Sequence, residues 1–302
     1  MAKYNHTVTP DEYGLTINQI LRNNYKFSSR FRTKMKFQSL VDLNEIPSPG
    51  YIKPEIGDII GIRLPEESSD FPPEDIPLDI IYEDADLILI NKQAGIIVHP
   101  TKGHPTHTIA NGIMKYMADT NQIFKVRFAN RIDMDTTGII IVAKNANAQN
   151  HLSNQMRKGT IHKKYIALVE GIIAEDNFTV NLPIGRPDNE SIRREVLDEG
   201  GKEAVTEVKV LRRFHNHTLV EVLLHTGRTH QIRVHLSHIG HPIAGDTLYG
   251  GNDEIIKRQA LHACNIKFFH PHTEKFVEFN AELPPDITLA ISSLEKLSPL
   301  NT

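Results

Sequence analysis

Alternation of apolar and polar residues dominates the second half of the chain. Residues 204–214 and 217–227 alternate on either side of a short polar turn and predict an antiparallel hairpin. Residues 265–280 predict a second hairpin, and a last helix is expected from Pro285. Helical spacing, with apolar residues three or four apart, covers three stretches: 107–120, 145–159 and 229–240. Hairpins outnumber strand–helix–strand units, so the pattern predicts an α+β fold with a mixed, largely antiparallel sheet.

The regular pattern stops in residues 65–78, which contain four prolines and five acidic residues. Prolines at this density interrupt helices and strands, and repeated negative charge opposes collapse. This segment is therefore predicted to be a flexible linker. It divides a small N-terminal unit, residues 1–64, from a larger domain, residues 79–297. The small unit ends in a Gly57–Asp58 turn and an apolar run that predicts a closing strand.

The composition is that of a soluble globular protein, with 302 residues, 39% of them hydrophobic and 24% charged. The single cysteine, Cys264, excludes an intrachain disulfide and suits a reducing compartment. No stretch resembles a signal peptide or approaches the length of a membrane span. We therefore expect a soluble, cytoplasmic protein. The net charge of −3 does not by itself indicate a nucleic-acid partner.

Positive charge is concentrated in residues 22–36, which contain six basic residues and no acidic one. Three aromatic residues, Tyr25, Phe27 and Phe31, are interleaved with them. This composition is typical of surfaces that bind phosphates and stack on bases. A solvated helix face beside a small core would have the same composition, and both interpretations stay open.

The stretch NRIDMDTTGIIIVAKN, residues 130–145, places two aspartates before an apolar run at 139–143 that predicts a buried strand. Residues 133–137 match the D-x-D-x-T pattern of aspartate-nucleophile phosphatases. In that class the first aspartate follows a buried strand, whereas here the strand follows the acids. Histidines cluster near His99 and near His235, but no compact set with a carboxylate completes a metal site. We expect no metal.

A nucleophilic carboxylate acting on a sugar or a base fits the same aspartates. Such a group must stay ionised and be aimed, and an opposing arginine does both. The stretch GRTHQIRVH supplies Arg228 immediately before a predicted helix. A surface arginine at the end of a hairpin is the alternative role for this residue.

These motifs together resemble the RluA/RluD-type family of RNA pseudouridine synthases. Residues 130–138 are similar to its signature H-R-L-D-x-x-T-S-G, and four further motifs follow the family's order: LILINKQAGIIVHP, KKYIALVEG, GRTHQIRVHLSHIGHPIAGDTLYG and QALHACNIKFFHP. The similarity covers roughly residues 80–285. It implies a catalytic domain with a central cleft that isomerises uridine in structured RNA without metal or cofactor. The expected RNA is ribosomal, with transfer RNA as the alternative, and the expected state is a monomer.

The resemblance also assigns roles to residues of the site. It makes Asp133 the catalytic aspartate, Tyr165 a contact of the target base that helps to remove the carbon 5 proton, and Arg228 the partner of Asp133. It directs Arg131 toward the RNA, filling the place of the flipped uridine or holding its backbone. Ile232 would pack beneath the site.

The N-terminal unit resembles the alpha-L RNA-binding motif in a degenerate form. The resemblance implies that Arg30, Arg32 and Lys34 bind RNA, although Glu45 replaces the glycine of the motif's V-N-G turn. In the catalytic domain, Asn130 and Gln93 replace a histidine and a proline of the family pattern. We expect these two changes to alter rigidity or RNA fit rather than activity. An RNA-binding or ribosome-assembly protein without catalysis is the alternative function.

Overall fold

The computed structural model describes residues 3–25, 27, 29–64, 67–101, 103–188 and 191–297. The N-terminal unit is a four-stranded antiparallel sheet packed against two helices. Its elements are β1 (Lys3–Thr7), α1 (Ile17–Asn24), α2 (Ser29–Phe37), β2 (Val41–Leu43), β3 (Ile46–Pro47) and β4 (Ile59–Arg63). The predicted closing strand is β4, which lies between β1 and β2 in the sheet.

The aromatic residues of the basic segment belong mainly to the core of this unit. Phe27 and Phe31 are buried, and Tyr25 stacks on Phe27 with ring centroids 5.1 Å apart. Phe27 and Phe31 therefore do not form a surface on which bases could stack, whereas phosphate binding by the basic residues stays a prediction. The basic side chains Arg32 and Lys34 lie on α2, as does the backbone of Arg30.

The larger domain, residues 79–297, is built around one ten-stranded sheet. Its strands and helices are, in chain order, β5 (Asp79–Glu83), β6 (Leu87–Lys92), α3 (Ile109–Asp119), β7 (Arg127–Phe128), β8 (Thr137–Ala143), α4 (Ala146–Lys158), β9 (His162–Glu170), β10 (Asn177–Asn181), β11 (Ile184–Gly185), β12 (Glu195–Val196), β13 (Val205–Arg213), β14 (His217–Leu224), α5 (Gln231–His238), β15 (Leu261–Phe269), β16 (Phe276–Asn280) and α6 (Pro285–Leu297). The strands β11 and β12 form a separate two-stranded hairpin.

The sheet consists of two antiparallel halves joined at its centre. The main strand order is β10-β13-β14-β9-β15-β8-β6-β5, with β16 beside β15 and β7 beside β8. The pairing of β8 with β15 is parallel and spans two residue pairs, whereas β8 and β6 share six antiparallel pairs. The predicted α+β class with a mixed, largely antiparallel sheet is confirmed.

The acidic, proline-rich segment is packed along the catalytic domain. Ser69 accepts a hydrogen bond from the Val126 backbone at 3.0 Å, and the Pro72 carbonyl accepts one from Asn111 at 2.8 Å. Ile76 is buried. The expectation of a flexible linker is thus wrong for residues 67–78, because backbone carbonyls and apolar side chains between the prolines find partners on the domain.

The N-terminal unit contacts the catalytic domain through the first strand. The buried Tyr4 hydroxyl donates a hydrogen bond to Asp86, which also accepts one from Asn145 at 2.7 Å. The Tyr4 ring stacks on His272 with centroids 4.6 Å apart. Burial and the negative charge of Asp86 raise the pKa of Tyr4, so the hydroxyl stays protonated and donates.

Candidate active site

The polar turn before β8 is held by three groups from different parts of the chain. Asn130 donates from its amide nitrogen to the Ile139 carbonyl at 3.1 Å and accepts from the Ile141 backbone at 2.7 Å. Lys92 donates to the Met134 carbonyl at 2.7 Å, and Arg258 donates to the Asp135 carbonyl at 2.9 Å. The turn is therefore fixed at both ends, and Asn130 braces it against β8.

Lys92 is fully buried under this turn. Its ammonium group also donates to the carbonyls of Gln93 and Ile96, at 2.7 and 3.0 Å. Burial lowers the pKa of Lys92 to about 7, while the charge of Asp135 supports the protonated form. The Lys92 side chain thus connects the turn after β6 to the turn before β8 through hydrogen bonds to both.

Gly138 allows β8 to approach β15 at the start of the strand. Its φ is +109°, and a Cβ built at this position would lie 2.3 Å from the Ala263 carbonyl oxygen. Only glycine combines this φ with so close an approach of two backbones. The apolar strand that follows is buried along its whole length, as the sequence predicted.

Asp133 lies in this turn, partly buried, and forms an ion pair with Arg233. Nη1 of Arg233 donates to Oδ2 of Asp133 at 3.0 Å. The same guanidinium binds the buried carboxylate of Asp246 through Nε at 2.6 Å and Nη2 at 2.8 Å. Burial alone would lower the pKa of Arg233, but the two carboxylates raise it. The aspartate is therefore faced by a permanent cation.

The predicted pairing of Asp133 with Arg228 is wrong. Arg228 is exposed, and its Nε donates to the Glu203 carbonyl at 2.9 Å. Helix α5 begins at Gln231, so Arg228 lies before it, whereas Arg233 is its third residue and points at the turn. Both arginines occur in GRTHQIRVH, and the sequence does not fix where the helix starts. The missed residues are Arg233 and its second partner, Asp246.

Two other predicted residues lie in the core beside the aspartate. Tyr165, on β9, and Ile232, on α5, are buried in one hydrophobic cluster, and Ile132 packs against it. Burial first, and then the charge of Asp133, raises the pKa of Tyr165. Its phenol is therefore neutral and lies close enough to Asp133 for the negative charge of that aspartate to affect the pKa of the phenol.

Arg131, next to the aspartate, is exposed. Burial lowers the pKa of His99, and the charge of Arg131 lowers it further. The two side chains therefore lie near each other. The remaining predicted RNA-binding residues are distant in sequence, on α2. There Lys34 forms an ion pair with Glu67 at 3.8 Å, which connects α2 to the segment between the two units.

Several histidines make hydrogen bonds within the fold. His235, for example, contacts Thr206 Oγ1 at 2.8 Å and the Leu182 carbonyl at 2.9 Å. Among the described residues, no group of three or more histidine, cysteine or acidic side chains converges as metal ligands. In the same part of the chain, no helix has both the length and the apolar character needed to cross a membrane.

Comparison with known proteins gives the class of this chain. Residues 86–238 match the family model of RNA pseudouridylate synthases. An uncharacterized RNA pseudouridine synthase of Bacillus subtilis, YlyB, is 44% identical over 80% of this chain and 80% of its own length. The ribosomal large subunit pseudouridine synthase D of Haemophilus ducreyi is 35% identical over 95% of this chain and 93% of its own.

A solved structure agrees with these relatives. Human RNA pseudouridylate synthase domain containing 1 is 27% identical, with a TM-score of 0.57 over 70% of this chain and 85% of that one. The chain belongs to the RNA pseudouridine synthase family and is an enzyme of the RluA/RluD type. The resemblance in the sequence motifs is thereby confirmed. Neither the phosphatase nor the non-catalytic alternative is favoured.

Proposed function

We propose that this enzyme converts specific uridines of ribosomal RNA to pseudouridine, with Asp133 as the catalytic aspartate. The observation that carries the proposal is the pairing of Asp133 with Arg233 in a braced polar turn beside the hydrophobic cluster that contains Tyr165 and Ile232. Several relatives are named as ribosomal large subunit pseudouridine synthases, which supports a ribosomal substrate.

The reaction is an isomerisation in which no atom is gained or lost. The bond between ribose C1′ and base N1 breaks, the base turns, and a bond forms between C1′ and C5. The C5 proton leaves and N1 acquires a proton. Asp133 either adds to the ribose or assists formation of a glycal, and both routes need an ionised carboxylate beside the sugar. Arg233 places a permanent positive charge 3.0 Å from Oδ2 of that carboxylate.

Tyr165 is proposed to lie against the target base once the uridine has left the stack. Its raised pKa disfavours the phenolate at neutral pH, and a neutral phenol accepts a proton weakly. The raised pKa therefore favours contact with the base over direct removal of the C5 proton. Arg131 is proposed to bind the RNA backbone or to occupy the place left by the flipped uridine.

The test is Asp133→Asn, assayed by pseudouridine content of an in vitro transcript of large-subunit ribosomal RNA. Product formation should fall by more than the ~10⁴-fold expected for loss of one general acid or base, because the attacking charge is gone. RNA affinity should survive, since phosphate contacts supply most of it. Stability should change little, because Arg233 keeps both hydrogen bonds to Asp246.

Asp135→Asn is the matched control, two residues along the same turn. Its backbone carbonyl, which a side-chain change leaves in place, makes the contact to Arg258. This variant should retain substantial turnover. Near-normal turnover by Asp133→Asn would remove the aspartate from the mechanism. RNA binding without any product from the wild-type protein would instead indicate a binding protein.

A further inference from the structure

A second donor faces the carboxylate that Arg233 binds. Nε2 of His230 lies 3.9 Å from Oδ1 of Asp133, on the oxygen that Arg233 does not contact. His230 immediately precedes α5, and residues three apart at this point project to one face. His230 and Arg233 therefore approach the two oxygens of one carboxylate from the same helix end.

The backbone of His230 has an unusual conformation that directs its ring. Its φ is +58°, in the left-handed region that residues other than glycine adopt rarely. The side chain of the next residue, Gln231, fixes this start of the helix. It accepts from Thr226 Oγ1 at 2.8 Å and from the Arg228 backbone at 3.0 Å, and donates to the Val205 carbonyl at 3.0 Å. The fold thus maintains a strained residue at the edge of the active site.

Tyr249 contacts the ring nitrogen of His230 that faces away from Asp133. Its hydroxyl accepts the Arg194 backbone N–H at 2.9 Å and lies 2.8 Å from Nδ1 of His230. The hydroxyl can donate its own proton to Nδ1, and in that arrangement Nδ1 is unprotonated. A neutral ring consequently carries its proton on Nε2, facing Asp133.

The charge state of the ring agrees with this arrangement. Burial lowers the pKa of His230, and the nearby Arg233 and Arg194 lower it further, whereas Asp133 and Asp246 act in the opposite direction. The ring is therefore neutral near pH 7. A neutral N–H donor orients a carboxylate without protonating it.

We propose that His230 is a positioning residue for Asp133, its Nε2–H holding Oδ1 while Arg233 holds Oδ2. The present separation of 3.9 Å exceeds a hydrogen bond, and such contacts often tighten when substrate is bound. With both oxygens held, the carboxylate plane is fixed relative to the sugar. This inference rests on the proposed role of Asp133.

The test compares three variants on the large-subunit ribosomal RNA transcript. His230→Ala should lower kcat by about 10- to 100-fold, the loss usual for a group that orients a reacting one, with KM changed less than about threefold. His230→Gln should recover most of kcat, because its amide N–H reaches toward the position of Nε2. His230→Asn is too short to reach the carboxylate and should resemble alanine, although asparagine tolerates the left-handed backbone well.

His225→Ala provides a matched control, because His225 pairs with Glu207 at 2.9 Å on the protein surface. Its kcat should stay within about twofold of wild type. Unchanged kcat in His230→Ala would overturn the proposal. Equal losses in the alanine and glutamine variants, in step with their melting temperatures, would also overturn it and make the role structural.

The assignment of the proton to Nε2 has its own test. Tyr249→Phe should lower kcat in the wild-type background and add no further loss to His230→Gln, whose amide needs no partner to set its proton. Equal losses in both backgrounds would overturn this assignment. Wild type and Asp133→Asn are measured alongside. Absence of product from the wild type would defeat the proposed function, whereas normal product with unaffected His230 variants would defeat this inference alone.

Discussion

Gly138→Ala should destabilise the protein strongly, because the residue combines a positive φ with a very close backbone contact. An L-residue in left-handed backbone costs about 1–2 kcal/mol. The new methyl group would lie 2.3 Å from the Ala263 carbonyl oxygen, so β8 and β15 would have to separate. Overpacking of this kind costs about 1–3 kcal/mol. The sum, about 2–5 kcal/mol, is a large part of the ~5–15 kcal/mol that stabilises a typical domain.

Denaturant unfolding of the purified variant measures this loss. Gly159→Ala is the matched control, since Gly159 ends α4 at φ +67° and a Cβ there meets no atom within 4 Å. The control should lose only the backbone contribution of about 1–2 kcal/mol. Equal losses in the two variants would refute the argument that the contact with Ala263 matters. Pseudouridine formation by the folded fraction of Gly138→Ala should fall too, because the start of β8 directly follows the turn that contains Asp133.

Three further changes test other parts of the structure. Tyr165→Phe should retain RNA affinity and most of kcat if contact with the base is its role, and a loss of kcat approaching that of Asp133→Asn would contradict this. Lys34→Gln should weaken binding of the ribosomal RNA transcript and reduce its salt slope by about one, with the exposed Lys257→Gln as an unaffected control in the same titration. Although burial opposes ionisation, hydrogen bonds from His270 and two backbone N–H groups lower the pKa of Asp84 to about 2. Ionised Asp84 should therefore contribute about 2 kcal/mol to the free energy of unfolding. This contribution should be complete above pH ~4 and lost as the pH falls toward 2, so the unfolding curves of wild type and Asp84→Asn should converge in acid.

The sequence pattern was sufficient for the elements with strong periodicity. The hairpin of β13 and β14, the helices α3 and α4, and the buried strand β8 were all predicted, because their apolar residues recur at the period of one structure. The apolar residues of 96–99, by contrast, form only an isolated bridge at Ile97, since their backbone follows the turn that Lys92 binds. Apolar character alone does not distinguish a buried strand such as β8 from an irregular apolar segment such as residues 96–99.

The active site was predictable as a set of motifs but not as a set of contacts. Asp133, Tyr165 and Ile232, which the motifs singled out, lie close together in the structure. The partner of the aspartate was misassigned to Arg228, since choosing between two arginines five residues apart requires the first residue of α5. That residue is fixed by contacts of Gln231 with β13, which no local pattern reveals.

The contact of Tyr4 with Asp86 and His272 has a thermodynamic consequence. Separating the N-terminal unit would hydrate a buried hydroxyl, leave Asp86 with one donor fewer and expose stacked rings. The two units therefore share part of their free energy of unfolding, and we expect a single cooperative melting transition rather than two. Deletion of residues 1–76 would remove this shared contribution together with any phosphate contacts. A truncated chain thus differs in stability as well as in RNA affinity, whereas Lys34→Gln is expected to change the affinity and leaves the contacts of Tyr4 with Asp86 and His272 in place.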